Sequence, residues 1–371
     1  MIYAGCTAVS VERRIDKIES SFDVAVTERW AGQDQPWQLQ RFAPCTIAID
    51  GTPVLTGYID DYEASFTASE HTVRVCGRSK TGDLTECTPD ISSGQFKGYN
   101  LAQIGAAVCV PFGITQVVET DASQTFPDAT LQRGETAFSF LERLGRLAGV
   151  LLTDNELGNL VLTSTGTQRA GGTLQQGVNI LAASGRLSAR NRFSHYIVKG
   201  QRALGAAAGQ SQSGGGTGGA PSPVATNLRA VAIDALVPRY RPKISLAEAQ
   251  LDAAGMQRRA NWERNYAFGR STELNVTVLG WYDAAGNLWR INRLITATVP
   301  WCEVDQDLLI SGVTFRIDAQ GGRVTHLSLG PVEGFTPDTG QVRLKTKRGA
   351  RGHKGRAGAG GANWDGAGGY P

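Results

Sequence analysis

A period-two rhythm of apolar residues occurs twice, once toward each end of the chain, and it constrains the fold more than any other feature. Phe22, Val24 and Val26 alternate with polar residues, and Leu274, Val276 and Val278 do the same. Side chains along a strand point to alternate faces, so this pattern describes strands with one buried face. In the first copy Thr46-Ile47-Ala48-Ile49 runs into Asp50-Gly51, a dipeptide suited to a hairpin turn. Val54-Leu55-Thr56-Gly57-Tyr58-Ile59 returns from it, and a further strand runs from His71 to Gly77. The second copy runs from Thr272 to Gly330.

The copies can be aligned. Trp30 follows the first apolar triplet and Trp281 the second, and Val54 to Ile59 matches Leu309-Ile310-Ser311-Gly312-Val313-Thr314. Each copy closes on a strand ending in glycine, Gly77 or Gly330. The anchors are 33 residues apart in the first copy (Phe22 to Leu55) and 36 in the second (Leu274 to Ile310). Matching order and spacing imply two related domains. On this alignment Gly57 and Gly312 are expected at equivalent places. Short strands separated by turns predict a small β-barrel for each.

Between the copies the period changes. Asn100 is positioned to cap a helix with the stripe Leu101, Ile104 and Val108, stopped by Pro111. A second helix is expected over 135–148, with Phe138, Leu141, Leu144 or Gly145, and Ala148 on one face, ended by Gly149. Val150 to Thr153 and Leu160 to Thr163 then form a hairpin through Asp154–Asn159. The chain is therefore expected to be mainly β with an α+β insertion. Its divisions are a first β-barrel domain over 1–95, an α+β domain over 96–185, and a second β-barrel domain with a helix over 186–338. A basic, glycine-rich tail covers 339–371. Ala203 to Leu228 has no charged residue, and its Gly/Ser-rich part, 203–223, reads as a flexible loop. Ser245-Leu246-Ala247-Glu248 has the form of a capping box opening a long helix with Leu251, Gly255, Arg259, Trp262 and Tyr266 along it.

Charge is unevenly placed. Residues 341–371 hold seven Lys/Arg and one Asp, a net +6, and the whole chain carries +3, so the rest is −3. A mildly acidic body is not the profile of a general nucleic-acid-binding domain. No stretch reaches the roughly 18 apolar residues of a membrane span. Ala4-Gly5-Cys6 resembles the end of a lipoprotein signal but has only five residues before the cysteine, so no membrane anchor is expected. Six cysteines, with no CxxC pair, read as reduced core residues of a protein made in a cytoplasm.

Catalytic frameworks are not apparent. There is no HExxH or GxSxG, and no cofactor or metal is expected. Asp60/Asp61 and Asp305/Asp307 are carboxylate pairs, read here as solvated turn and strand-edge groups. Gly77-Arg78-Ser79-Lys80-Thr81-Gly82 has Ser where a phosphate loop needs Gly before Lys-Thr, and no helix signal follows, so it reads as a strand-end turn. Four of the seven tryptophans lie between Trp262 and Trp301; core and interface packing is their expected role.

Three runs together carry a family resemblance. Gly77-Arg78-Ser79-Lys80-Thr81-Gly82-Asp83-Leu84 is the first. Gly134-Glu135-Thr136, Phe138 and Phe140-Leu141-Glu142-Arg143-Leu144, leading to Gly149-Val150-Leu151-Leu152-Thr153, form the second. Met256-Gln257-Arg258-Arg259-Ala260 before Trp262-Glu263 is the third. They resemble the tail P proteins of Mu-like phages, baseplate hubs of contractile tails, over about residues 1–338; Glu135 to Leu152 also resembles the hub portion of the type VI spike protein VgrG. The resemblance implies a structural, non-enzymatic hub in the virion, made in the host cytoplasm. It implies a homotrimeric ring with two β-barrels per chain, adapting a sixfold tail tube to a threefold spike around a channel for DNA. Its partners would be the tail tube protein, the central spike protein and other baseplate proteins, with DNA or the tape-measure protein in the lumen. The alternatives are a tail-tip cell-wall hydrolase and a lumen DNA-binding protein.

The tail is the expected partner-binding segment. Lys345, Lys347, Arg348, Arg351, Lys354 and Arg356 would lie against acidic surface of a neighbouring subunit or the spike, with Trp364 and Tyr370 as terminal anchors. Lumenal nucleic acid is the alternative partner, and a solvated end the plainest reading.

Overall fold

The computed structural model describes residues 6–26, 39–68, 71–166, 168–201, 227–246, 253–319 and 321–337. The first strand rhythm forms β1 (Cys6–Arg14), β2 (Ser21–Val26), β3 (Pro44–Ile49), β4 (Thr52–Phe66) and β5 (His71–Ser79), hydrogen-bonded in the order β1-β2-β5-β4-β3. Asp50 and Gly51 close the β3–β4 hairpin with φ of 47° and 82°, the left-handed conformation this turn requires.

The insertion contains α1 (Leu101–Cys109), β6 (Gln116–Val118), α2 (Ala137–Ala148), β7 (Leu151–Asp154) and β8 (Leu160–Thr163). Asn100 Oδ1 accepts from the Gln103 amide at 2.8 Å, and Gln103 Oε1 accepts from the Asn100 amide at 3.0 Å, a complete capping box. Leu101, Ile104 and Val108 are fully buried, each contributing about 1.5–3 kcal/mol. Pro111 lies in the 3-10 turn Val110–Phe112 that follows. The second helix starts two residues later than its pattern suggests. Thr136 caps it, while Glu135 stays outside and accepts hydrogen bonds from Arg143. Its buried face is Ala137, Phe140, Leu141, Leu144 and Gly145, with Phe138 half-buried.

The rest comprises β9 (Gln168–Gln175), β10 (Ile180–Leu187), β11 (His195–Gln201), β12 (Asn227–Ile233), β13 (Pro242–Leu246), α3 (Ala253–Gly269), β14 (Thr272–Leu279), β15 (Arg293–Val299), β16 (Val304–Asp318) and β17 (Gly322–Gly330). Strands β12-β11-β13 form a separate small sheet against α3. Ser245 does not cap a helix: it lies in β13, opposite Val198, and donates to Glu263 Oε1 at 2.7 Å. Of the residues expected along the helix Gly255 is buried, with Met256, Ala260 and Glu263 beside it, whereas Arg259, Trp262 and Tyr266 lie partly exposed; Met256 and Ala260 pack on Tyr196, Val198, Ala230 and Ala232 of the small sheet. Leu251 and the whole of the 203–223 loop region lie outside the described residues.

The remaining strands join one eleven-stranded sheet, in the order β10-β14-β17-β16-β1-β2-β5-β4-β3, with β15 on β16 and β9 parallel on β15. The second unit, β10-β14-β17-β16-β15, has the same order as the first. Bulges recur too. Cys6/Ala8 of β1 and Ile180/Ala182 of β10 shift register against their neighbours, as do Ile59/Asp61 of β4 and Ile310/Gly312 of β16. No closed barrel forms among the described residues. The second half of β16 takes β1 on its open edge, so the second unit continues into the first instead of curling back on itself. One core, including Val11, Phe22, Val75, Leu274, Ile310 and Phe315, runs under both units.

Register corrects the alignment. Phe22 faces Gly77 and Leu274 faces Leu329, while Ile59 also faces Gly77 and Ile310 also faces Leu329. Phe22 and Leu274 are thus equivalent, and so are Ile59 and Ile310. Gly312 corresponds to Asp61, four residues beyond Gly57. The motif alignment slipped because alternating apolar strands look alike after a shift by an even number of residues.

All six cysteines are free, but only Cys109 is buried, and burial pushes its thiol up to about 12. Cys6 and Cys87 are exposed at the ends of elements, where one side meets solvent, so they are not core residues.

Candidate assembly interface

The two units meet where β1 lies antiparallel to β16, with Val9 opposite Ile317, Val11 opposite Phe315 and Arg13 opposite Val313. Val11, Phe315 and Val313 are almost completely buried there. Arg13 reaches beneath the sheet to the β7–β8 hairpin. Its guanidinium donates to the Asp154 carbonyl at 2.9 Å and to Glu156 Oε1 at 3.0 Å. Burial works against the charge on Arg13, but Asp154 and Glu156 hold its proton more firmly than usual. Burial is the largest influence on the Glu156 carboxyl and raises it, but the charges of Arg13 and Arg290 and the hydrogen bonds to the carboxylate together outweigh it, leaving the carboxyl below its ordinary range. Ser20, Ser79 and Thr81 extend the network, the Thr81 hydroxyl donating to the Ile18 carbonyl at 2.8 Å.

This places the Gly77–Gly82 run. A five-residue helix, Gly82–Glu86, does follow it, contrary to expectation. Thr81 is fully buried in the network above, so its hydroxyl is not presented to a phosphate. The carboxylates at 60, 305 and 307 are engaged as well. Arg78 donates to Asp60 at 2.7 Å, Thr298 to Asp305 at 3.0 Å, and Arg169 to Asp307 at 2.6 Å. Arg74–Asp23, Arg14–Asp16 and Arg316–Asp318 are further pairs on the sheet. Among the described residues no group of three His, Cys, Asp or Glu is placed to hold a metal ion, and no helix is long and apolar enough to cross a membrane.

Two surfaces stand open among the described residues. One is a groove of about 870 Å³ between α2 and α3. Trp262 stacks on Tyr266 with centroids 5.0 Å apart in its wall, and the Trp262 indole donates to the Thr336 carbonyl at 3.0 Å. The tryptophans thus divide: Trp289 is buried, Trp262 lines the groove, and Trp301 is 88% exposed. The other is a pair of strand edges. Among the described residues, Asp61 to Phe66 of β4 pair only with β5, and β10 pairs with β14 and, beyond it, only through a bridge from Ile180 to Gln176. Leu181, Leu187, Tyr62 and Phe66 are exposed there. These edges carry no sequence motif; their signal is Leu187 and Tyr62 standing exposed where the other copy of the repeat buries Arg13 and Val313. Lys345, Lys347, Arg348, Arg351, Lys354, Arg356, Trp364 and Tyr370 lie outside the described residues.

A doubled strand unit joined head to tail, with open edges at both ends among the described residues, is the form of a subunit suited to assembly with other chains. Three family models cover the chain: the N-terminal domain of Mu phage baseplate assembly protein GpP-like proteins over residues 1–79, the second domain of gp44-like baseplate hub proteins over 81–164, and the fourth domain of Mu phage baseplate assembly protein GpP over 252–338. The chain is 34% identical to the baseplate hub protein gp44 of Escherichia phage Mu over 355 residues, covering 94% of this chain and 90% of that one. The crystal structure of the prophage MuSo2 43 kDa tail protein from Shewanella oneidensis superposes with a TM-score of 0.77 at 34% identity, covering 90% and 96% of the two chains. A tail protein from Neisseria meningitidis MC58 shares the fold, with a TM-score of 0.69 at 18% identity over 91% and 95%. The chain belongs to the Mu-like phage baseplate hub family.

Proposed function

We propose that the chain forms a homotrimeric ring in the virion that adapts the sixfold tail tube to a threefold spike around the DNA channel. The observation that carries this reading is the repetition of one five-strand order, with both bulges at matching positions, within a single chain. Two near-equivalent units per chain and three chains give six similar units, so a threefold assembly can present a nearly sixfold face. The partners proposed are the tube protein above, the spike protein below and other baseplate proteins around the ring. The role is structural, in keeping with relatives named as baseplate hub and assembly proteins. Lumenal DNA or tape-measure protein would pass through without being a substrate. Each barrel-like unit of the sequence reading would gain closure from its neighbours in the ring.

Tails assembled without this chain should contain free spikes and no seated tube. Tubes seated on spikes in its absence would contradict the reading. For residues 341–371 we propose docking on an acidic surface of the spike or tube, through the basic residues 345–356 with Trp364 and Tyr370 as anchors. Deleting them should leave the ring intact and weaken attachment, increasingly so at high salt.

A further inference from the structure

We infer that neighbouring copies join by strand addition, β10 of one copy lying antiparallel on Asp61–Phe66 of β4 in the next, in a register that the chain already displays once internally. The inference rests on the ring reading and specifies how the ring closes.

The argument is the internal repeat itself. Cys6, Ala8 and Val11 of β1 face Val26, Ala25 and Phe22 of β2, while Ile180, Ala182 and Gly185 of β10 face Val278, Thr277 and Leu274 of β14. Since Phe22 and Leu274 are equivalent, β10 is the second-unit counterpart of β1. Likewise Asp61 and Tyr62 of β4 face Cys76 and Val75, and Gly312 and Val313 of β16 face Ser328 and Leu327, so the far half of β4 is the counterpart of the far half of β16. Within the chain those two counterparts, β1 and the far half of β16, are hydrogen-bonded to each other. Their twins, β10 from Ala182 onward and the far half of β4, are left as open edges among the described residues of the same molecule. A single chain therefore contains one finished junction and the two separate halves of another.

Carrying the internal register across gives definite pairs. Val9 opposite Ile317 becomes Ala183 opposite Phe66, and Val11 opposite Phe315 becomes Gly185 opposite Ala64. Arg13 opposite Val313 becomes Leu187 opposite Tyr62, and Glu12 opposite Thr314 becomes Arg186 opposite Glu63. These residues are complementary although nothing in the transfer required it. On one face Leu187 meets Tyr62 and small residues meet Phe66 and Ala64; on the other Arg186 meets Glu63 and Ser184 meets Ser65. Opposed aliphatic–aromatic and opposite-charge pairs are the units that stabilise antiparallel sheets. A slip of one residue would turn the apolar set to the wrong face, so the register is specified. All the residues involved are exposed in the single chain, Phe66 at 83%, and such edges invite pairing unless covered. The contact is head to tail, and each added copy leaves the same two edges open until the ring closes.

The test uses the full-length chain and a short bismaleimide cross-linker. The Ser65→Cys/Ser184→Cys double variant should be linked into species of two and three chains, above the level given by either single variant, which carries the native cysteines as background. Glu63→Arg or Arg186→Glu alone should weaken association severalfold, and the double reversal should recover most of it. A ring of normal mass that gives no added cross-link, or a double reversal no better than the singles, would overturn this register while leaving the ring reading intact. A wild-type chain that stays monomeric would overturn both. Circular dichroism of each variant establishes that it is folded, and the single-cysteine variants, placed on exposed edges, keep the cross-linking arm readable if a charge variant fails to fold.

Discussion

Arg13 and Asp154, 141 residues apart, are locked together at the junction of the two sheet units: the Arg13 guanidinium donates to both the carbonyl and the carboxylate of Asp154. Arg13 is 7% and Asp154 4% exposed. Removing one partner of such a pair leaves the other charge buried without compensation. Arg13→Ala should cost about 3–5 kcal/mol in denaturant unfolding. A double-mutant cycle with Asp154→Ala should show coupling of about 0.5–3 kcal/mol, and additive losses would mean the two do not act together.

The two glycines matched by sequence should respond differently to the same change. A Cβ at Gly57 would lie 1.8 Å from the Arg78 carbonyl oxygen, a backbone atom that cannot yield without moving β5. At Gly312 the nearest atom is the Ser328 Cβ at 3.3 Å, a tight contact that a small local shift relieves. Gly57→Ala should therefore destabilise severely or prevent folding, whereas Gly312→Ala should cost under about 1 kcal/mol. Thermal unfolding of both variants checks this; equal losses would restore the motif alignment.

Acid should weaken the fold over a definite interval. Hydrogen bonds from Arg74 hold the Asp23 carboxyl below its ordinary range, and hydrogen bonds from Arg169 and then Thr296 do so for Asp307. Glu156 is lowered as well: burial, its largest influence, raises it, and the charges of Arg13 and Arg290 with the hydrogen bonds to the carboxylate together outweigh burial. For depressed carboxyls the unfolded chain binds more protons as pH falls. Their stabilisation is present above the unfolded values, about 4, and is lost as pH falls through the folded ones. Asp83 is shifted the other way, chiefly by burial, and offsets part of the loss. Urea midpoints should hold steady from pH 7 to about 5 and fall below about 4. A midpoint that rises on acidification would contradict the assignment.

The capping box at Asn100 gives a smaller effect. Asn100→Ala removes the acceptor for the Gln103 amide and should cost about 1 kcal/mol. Asn100→Ser should recover most of it in the same unfolding assay.

Local features were legible in the sequence wherever one residue type has one physical use. Asp50-Gly51 in its hairpin, Asn100 as a cap and Gly149 at a helix end all stand where their chemistry puts them. The repeat was legible from Phe22 and Leu274, but its register was not, because a strand's side-chain period cannot distinguish a four-residue slip. Ser245 fits a capping-box pattern and was drawn instead into the β11–β13 pairing, where tertiary contacts override a local motif. Along α3 the large residues Trp262 and Tyr266 do not mark the buried face, because Met256 and Ala260 are the residues that pack on the small sheet. The candidate interface was the least legible part. Asp61 to Phe66 and β10 look like ordinary strand, and their meaning comes only from comparison with β1 and β16.

The mass of the purified full-length chain in solution, measured over a range of concentrations with and without its spike partner, tests the central claim most directly. The hub reading predicts a species of three times 39.5 kDa, persisting when the spike binds. A single-chain mass at every concentration, unchanged with spike present, would contradict it.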